Sequence, residues 1–248
     1  MDDGGRKLSV FFTASGTRYV VEAVGVLEVA RTLATTTNLH GNLELADFSE
    51  LLGGPPLELQ DPSTAIVFDS SPTLATRVND VEGVFAAGGL PSLPLSRRLV
   101  SMLAPVVRGA VLHEQHLYFD VDPDAVVRGL PPQTRALDVE TLTPTGPCLV
   151  FKSGFARFAV PLPSVKQVIL SAPTFNRVPS PGACVGVVAH QGGLFPVYTL
   201  TRVPSEPLVV LVETATETVG LCAHRADGLR PPDGLGEAQV LDLARMFS

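Results

Sequence analysis

His113-Glu114-Gln115-His116 brings two imidazoles and a carboxylate together and is the first stretch to test for metal chemistry. The zinc-protease pattern places two histidines four apart on a helix with a glutamate between them. Here they stand three apart, beside an apolar run, with no third ligand close in sequence. A polar turn ahead of Leu117-Tyr118-Phe119 is the stronger reading. Asp120-Val121-Asp122-Pro123-Asp124 resembles the opening of a calcium loop, but Ala125 stands where the sixth-position glycine belongs and Pro131 where the twelfth-position glutamate belongs. It reads instead as a strand end followed by a helix cap. Ser15-Gly16, Ser153-Gly154 and Ser171 lack the flanking glycines of a nucleophile elbow. No phosphate-cradling or dinucleotide-binding glycine pattern occurs, and only Lys152 and Lys166 follow Lys7. The residues imply no catalytic site, no metal and no cofactor.

The elements that must position any site are short. The chain has 248 residues, 45% hydrophobic and 17% charged, which suits a packed globular protein. Its net charge of −7 comes without a block of like charges, which argues against a nucleic-acid partner. Cys148, Cys184 and Cys222 lie far apart in apolar contexts and read as reduced, buried thiols of a cytoplasmic protein. The N-terminus MDDGGRKLSV has no apolar signal core, and no apolar run is long enough to span a membrane.

Twenty-two glycines and 22 prolines cut the sequence into short apolar segments, which predicts an all-β protein. Strands are expected at Leu8–Phe12, Tyr19–Val24, Ala65–Phe68, Leu117–Val121, Leu149–Phe151, Phe158–Leu162, Val185–Val188, Leu194–Tyr198, Leu208–Val212 and Thr218–Cys222. Short helices are expected at Ala46–Leu52, which stops at Gly53-Gly54, and after an Asp122 cap with Pro123 at the first helical position. One amphipathic helix is expected where Leu95, Leu99, Met102 and Leu103 share a face.

An internal repeat organises these segments. At an offset of 139, Phe12 falls on Phe151, Arg18 on Arg157, Tyr19 on Phe158, Val21 on Val160, Val26 on Val165 and Val29 on Val168. An offset of 145 places Ile66 on Leu211, Val67 on Val212, Gly83 on Gly228 and Val84 on Leu229. A third match sets Tyr118-Phe119-Asp120-Val121 on Val240-Leu241-Asp242-Leu243. The pattern is a tandem duplication: residues 1–130, a linker over 131–146, and residues 147–248. The copies are trimmed differently. Val29 to Gly41 spans 12 positions against 24 from Val168 to Gly192, whereas Val84 to Tyr118 spans 34 against 11 from Leu229 to Val240.

The order of elements in each copy resembles the CheW-like domain of bacterial chemosensory systems. Gly186-Val187-Val188-Ala189-His190-Gln191-Gly192-Gly193-Leu194-Phe195-Pro196-Val197-Tyr198-Thr199-Leu200 fits the family's G-V-I-N-L-R-G-x-V-V-P-V-V-D-L stretch position for position. Asn38-Leu39-His40-Gly41 takes the same place in the first copy, followed by Leu51-Leu52-Gly53. Asn79–Val84 and Arg225–Leu229 match the family's closing hairpin. The resemblance implies two CheW-like domains, each a pair of small, SH3-like, five-stranded barrels. It also implies a non-catalytic adaptor docking a CheA-type histidine kinase, a chemoreceptor signalling tip or another CheW-like protein, without membrane insertion. The docking residues it points to are Asn38, His40, Gly41, His190, Gln191, Gly192, Gly193 and Pro196, the proline marking an exposed strand edge. Where the family carries arginine, this chain has His40 and Gln191, so the bidentate guanidinium fork is missing from both copies. A ligand-binding or enzymatic β-barrel that only shares the pattern is the competing reading; it requires a convergent polar cluster.

Overall fold

In a computed structural model of the chain, residues 7–130, 137–170, 174–179, 182–201 and 208–248 are described. Residues 131–136 of the expected linker and Ser171 lie outside them. Among the described residues the chain forms 21 strands and only four short α-helices.

Chain contacts divide the molecule into two units, the first made of Met1–Gln133 with Asn176–Pro181 and Gly192–Leu194, the second of the remainder. The first 130 residues form β1 (Leu8–Ala14), β2 (Thr17–Glu22), β3 (Val26–Thr32), β4 (Asn38–Leu39), β5 (Leu43–Asp47) and helix α1 (Phe48–Leu51). They continue through β6 (Ser63–Phe68), β7 (Leu74–Val78), β8 (Asp80–Ala86) and β9 (Ser92–Pro94) to helix α2 (Arg97–Leu103). They close with β10 (Val107–His113), β11 (His116–Val121) and helix α3 (Pro123–Val126). Two sheets result, ordered β8-β1-β2-β11-β10-β9 and β3-β6-β7-β5-β4.

Further along run β12 (Cys148–Ser153), β13 (Ala156–Pro161), β14 (Val165–Ile169), β15 (Phe175–Arg177), β16 (Cys184–His190) and β17 (Gly193–Tyr198). After them come β18 (Leu208–Glu213), β19 (Thr218–Ala223), β20 (Arg225–Arg230), β21 (Gln239–Val240) and helix α4 (Leu243–Met246). Their sheets are ordered β20-β12-β13-β21 and β14-β18-β19-β17-β16-β15. The all-β architecture stands as expected, but three of the four sheets depart from five strands.

The same connections recur in both sets. Phe12 pairs with Tyr19 and Phe151 with Phe158, and the ladders to β8 and β20 shift register at Phe11/Phe12 and Val150/Phe151, again 139 apart. An extra residue on one strand bends and twists it locally; here the bulged residues are Glu82 and Asp227. β2 and β13 each gain a parallel neighbour, Tyr19 opposite Phe119 and Phe158 opposite Gln239. That register corrects the third sequence match: Phe119 corresponds to Gln239, and Asp122 to Asp242, each the side-chain cap of the helix that follows. A slip of two residues leaves every side chain on its own face, so the apolar pattern could not expose it. The 145 offset also needs correction in β6. Val26 pairs with Phe68 and Val165 with Val212, so Ile66 corresponds to Val210 rather than Leu211. All six residues of β6 are buried, so it offers no alternation to set a register.

The differences lie in elements that one set has and the other lacks. The first set has β9, α2 and β10 between β8 and β11; the second has β15 between β14 and β16. β21 does not lack an outer neighbour. Thr141 bridges Leu241, the Leu142 N–H donates to Val240 O at 2.9 Å, and the Asp242 N–H donates to Glu140 O at 2.8 Å. In the first set the Asp122 N–H donates in the same way to Val106 O, and Val107 pairs with Val121. Glu140–Leu142 therefore does for β21 what the start of β10 does for β11.

Burial fills both sets with equivalent but unlike side chains. Phe12 stacks on Tyr19 at 5.4 Å between ring centres and meets Phe48 edge-on at 5.1 Å, with Phe68 at 6.3 Å. Around the corresponding Phe151, the register puts Phe158 opposite it and Val212 where the first set has Phe68. Short helices form in the segments expected, the first over Phe48–Leu51 because Ala46 and Asp47 still belong to β5, and Asp122 caps the other as its sequence predicts. Asp47 Oδ1 accepts from the Ser49 N–H at 2.8 Å and Asp122 Oδ1 from the Asp124 N–H at 3.1 Å. α2 buries Leu99 and Leu103 and is capped by Ser96.

Candidate docking rim

The two stretches singled out by the family pattern both fold as hairpin tips. Between β4 and β5 the chain turns at His40 (φ 51°) and Gly41 (φ 81°); between β16 and β17 it turns at Gln191 (φ 47°) and Gly192 (φ 79°). Consecutive positive φ values are those of the type I′ turn, whose twist matches that of the flanking strands. A Cβ on Gly41 or Gly192 would meet nothing within 4 Å, so both glycines are there for their backbone angles. The Asn42 N–H closes the first turn onto Leu39 O at 3.3 Å, and Asn42 is one residue more than the second turn uses.

Each tip is tied sideways to an edge strand through a histidine. His40 Nε2 lies 2.8 Å from Glu28 Oε2, and His190 Nε2 lies 2.8 Å from Gln167 Oε1. Glu28 and Gln167 are the same position of the repeat, on β3 and β14, the strands that begin their sheets. The histidines are not equivalent: His40 is in the turn and His190 is the last residue of its strand. Asn38, His40, Gly41, Gln191 and Gly192 are exposed, while His190 and Gly193 are half-buried.

Pro196 is the correction. It is buried, and β17 lies between β19 and β16 rather than at an edge. A proline in a central strand costs a ladder bond only where its N–H would have been used. The β17–β19 pairing begins one residue later, with Val197 opposite Gly220. Pro196 therefore packs inside and offers nothing to a partner.

A row of apolar side chains beside the first tip was missed by the pattern. Leu27 and Val29 on β3, with Val24 and Leu33 flanking it, are exposed by 59%, 44%, 83% and 60%. The repeat equivalent of Leu27 is Lys166, which pairs with Glu213 at 2.7 Å. Val26-Leu27-Glu28-Val29 shows no alternation, because Leu27 is the extra residue where the ladder to β6 shifts register, so the sequence did not say which side chains meet solvent.

The residues first considered for chemistry sit in turns. His113 pairs with His116 across the β10–β11 hairpin, whose tip is Glu114 (φ 47°) and Gln115 (φ 67°). No group of three or more His, Cys, Asp or Glu residues that could hold a metal ion occurs among the described residues. Cys148, Cys184 and Cys222 are buried thiols outside any disulfide, and burial pushes the Cys148 thiol pKa up. No helix among the described residues is long and apolar enough to cross a membrane.

The site thus belongs to an all-β protein with hairpin tips turned outward at matched places. No family model matches the chain, and no curated protein matches it. Among solved structures it is similar to the scaffolding protein TtCheW from Thermoanaerobacter tengcongensis, at 16% identity and a TM-score of 0.41, over 49% of this chain and 92% of that one.

Proposed function

We propose that the chain is a non-catalytic adaptor of a bacterial chemosensory two-component system, built of two CheW-like domains over residues 1–130 and 147–248. It acts in the cytoplasm, docking a CheA-type histidine kinase, a chemoreceptor signalling tip or another CheW-like protein. The observation that carries this reading is the pair of rim turns. His40-Gly41 and Gln191-Gly192 adopt nearly the same backbone angles, where both copies match the family's N-L-R-G stretch. Docking of this kind joins an apolar centre to a polar rim, and the exposed β3 row beside His40 has that composition.

Calorimetric titration of the full chain with the regulatory domain of a CheA-type kinase, and separately with a receptor signalling tip, tests the proposal. Saturable binding is expected, weakened at least tenfold by His40→Ala or Gln191→Ala, both exposed and outside the core. His40→Arg and Gln191→Arg, which restore the family's guanidinium, are expected to strengthen it. Failure to bind kinase, receptor tip or any CheW-like protein overturns the reading.

A further inference from the structure

The β12–β13 hairpin ends in a two-residue turn, Gly154-Phe155, closed by the pairing of Ser153 with Ala156. Gly154 takes φ 59°, and Phe155 projects fully into solvent, more exposed than any other large apolar residue described. The corresponding β1–β2 turn is Ser15-Gly16, with nothing apolar at its tip. An aromatic ring left wholly in water contributes nothing to folding, and such side chains dominate binding energy when a partner covers them.

The strands behind this tip carry a cross-strand row of cations. Lys152 pairs in register with Arg157 on one side and Arg225 on the other, so the three side chains share one face of the sheet. Asp227, projecting from the bulge, is the carboxylate among them. Arg225 Nε lies 2.7 Å from its Oδ1 and Arg157 Nε 3.4 Å from its Oδ2. Lys152 forms no ion pair among the described residues. Three cations against one carboxylate leave a surplus of two positive charges. The equivalent positions of the first repeat are Thr13, Arg18 and Asp80. The chain's acidic surplus is also elsewhere: residues 1–130 hold 16 acidic and 9 basic side chains, whereas residues 131–248 hold 9 of each.

We propose that the β12–β13 hairpin tip docks an acidic segment of a partner protein, with Phe155 packing on an apolar side chain of that segment and Lys152, Arg157 and Arg225 meeting its carboxylates. Charge complementarity selects the occupant, because like charge across such a contact is strongly disfavoured. An anionic membrane fits less well, since one inserted side chain and a surplus of two charges fall short of the two anchoring signals that stable membrane attachment needs.

The test is fluorescence anisotropy of a short labelled peptide of alternating glutamate and leucine, titrated with the full chain. Binding is expected to weaken as salt rises, and to fall at least tenfold in both Phe155→Ser and Arg225→Glu. Ser15→Ala at the corresponding turn is expected to leave it unchanged. Circular dichroism and the thermal midpoint of Phe155→Ser should match the wild type, because the ring touches nothing buried. No binding, or binding indifferent to Phe155→Ser, overturns the proposal. So does sedimentation with phosphatidylserine vesicles that depends on Phe155 while the peptide stays unbound. The rim variants His40→Ala and Gln191→Ala should bind the peptide as the wild type does, so a failure here is separable from a failure of the adaptor reading.

Discussion

The two repeats share one wiring and differ in what was cut from each. In residues 1–130 the sheet holding β1 and β2 is complete and lined with aromatic rings, while the β4–β5 hairpin of the other sheet is reduced to a two-residue strand and its partner. In the later repeat the hairpin of β16 and β17 is long, and the sheet holding β12 and β13 has shrunk to four strands. The backbone pairing at the cut has nonetheless been kept. Where β10 is missing, Glu140–Leu142 makes hydrogen bonds to β21 from the other end of the repeat. An uncovered strand edge is a site for unwanted pairing, so any segment long enough to cover it is retained. Side chains are under a weaker demand. They need only fill the volume, and valine stands where phenylalanine does in the first repeat.

The core comparison makes the largest prediction. Phe12→Ala removes a ring in contact with Tyr19, Phe48 and Phe68, and should cost about 4–5 kcal/mol. Phe151→Ala removes one whose aromatic neighbour is Phe158 at 6.1 Å, and should cost about 3 kcal/mol. Urea unfolding of both variants gives the values. Equal losses would mean that the aromatic lining adds nothing beyond volume.

The substitute for β10 is tested next. Leu142→Pro deletes the N–H that reaches Val240 O, and should destabilise the chain by about 2 kcal/mol through the bond and the strand geometry it disturbs. Amide hydrogen exchange gives the sharper reading. The Leu142 and Asp242 amides should exchange as slowly as those of β21, and both should speed up in the variant. Fast exchange at Leu142 in the wild type would show that β21 is an open edge.

How far the amino-acid pattern reaches is decided by what alternation can encode. The β1–β2 and β12–β13 hairpins were readable because each carries a glycine in the turn that anchors the register, although Val10–Phe12 and Leu149–Phe151 are buried on both faces. β6 was placed but slipped by one residue, since Ser63–Phe68 is buried on both faces. β21 is two residues long, too short to show a period, and its match slipped by two. Glu140-Thr141-Leu142 has no apolar alternation at all; its pairing is backbone only. At the rim, the glycines were found because a positive φ favours glycine, and the His40 and Gln191 positions because they stand where the resembled family carries arginine. Pro196 was misplaced because an absent donor looks alike at an edge and before the start of a ladder. The β3 row was missed because exposure is a property of the folded sheet.

The rim turns should behave alike if the repeats share their geometry there. Gly41→Val and Gly192→Val each force a β-branched residue to φ near +80° in open space, which should cost about 1–2 kcal/mol in either place. A cost at one turn alone, measured by thermal unfolding, would break the equivalence.

The smallest effects separate the repeats by pH. The bulged acid of β8, Glu82, accepts a 2.6 Å hydrogen bond from the Tyr118 hydroxyl; that of β20, Asp227, is held by Arg225 and Arg157. Burial, then the bond to Glu82, raises the Tyr118 pKa above the usual tyrosine range, so the neutral form is favoured in the folded state. That contribution is complete below the unfolded value of about 10 and is lost as pH rises. Asp227 shifts the other way. The hydrogen bond from Arg225 holds its pKa below the ordinary carboxylate range, so its contribution is complete above about pH 4 and is lost as pH falls. Tyr118→Phe should therefore flatten the alkaline limb of the thermal midpoint, with a loss of about 1 kcal/mol at neutral pH. Asp227→Asn should flatten the acid limb, with a loss of no more than about 1 kcal/mol because both arginines are partly solvated. If both variants move the same limb, the two bulges do not carry the separate electrostatic roles that their partners indicate.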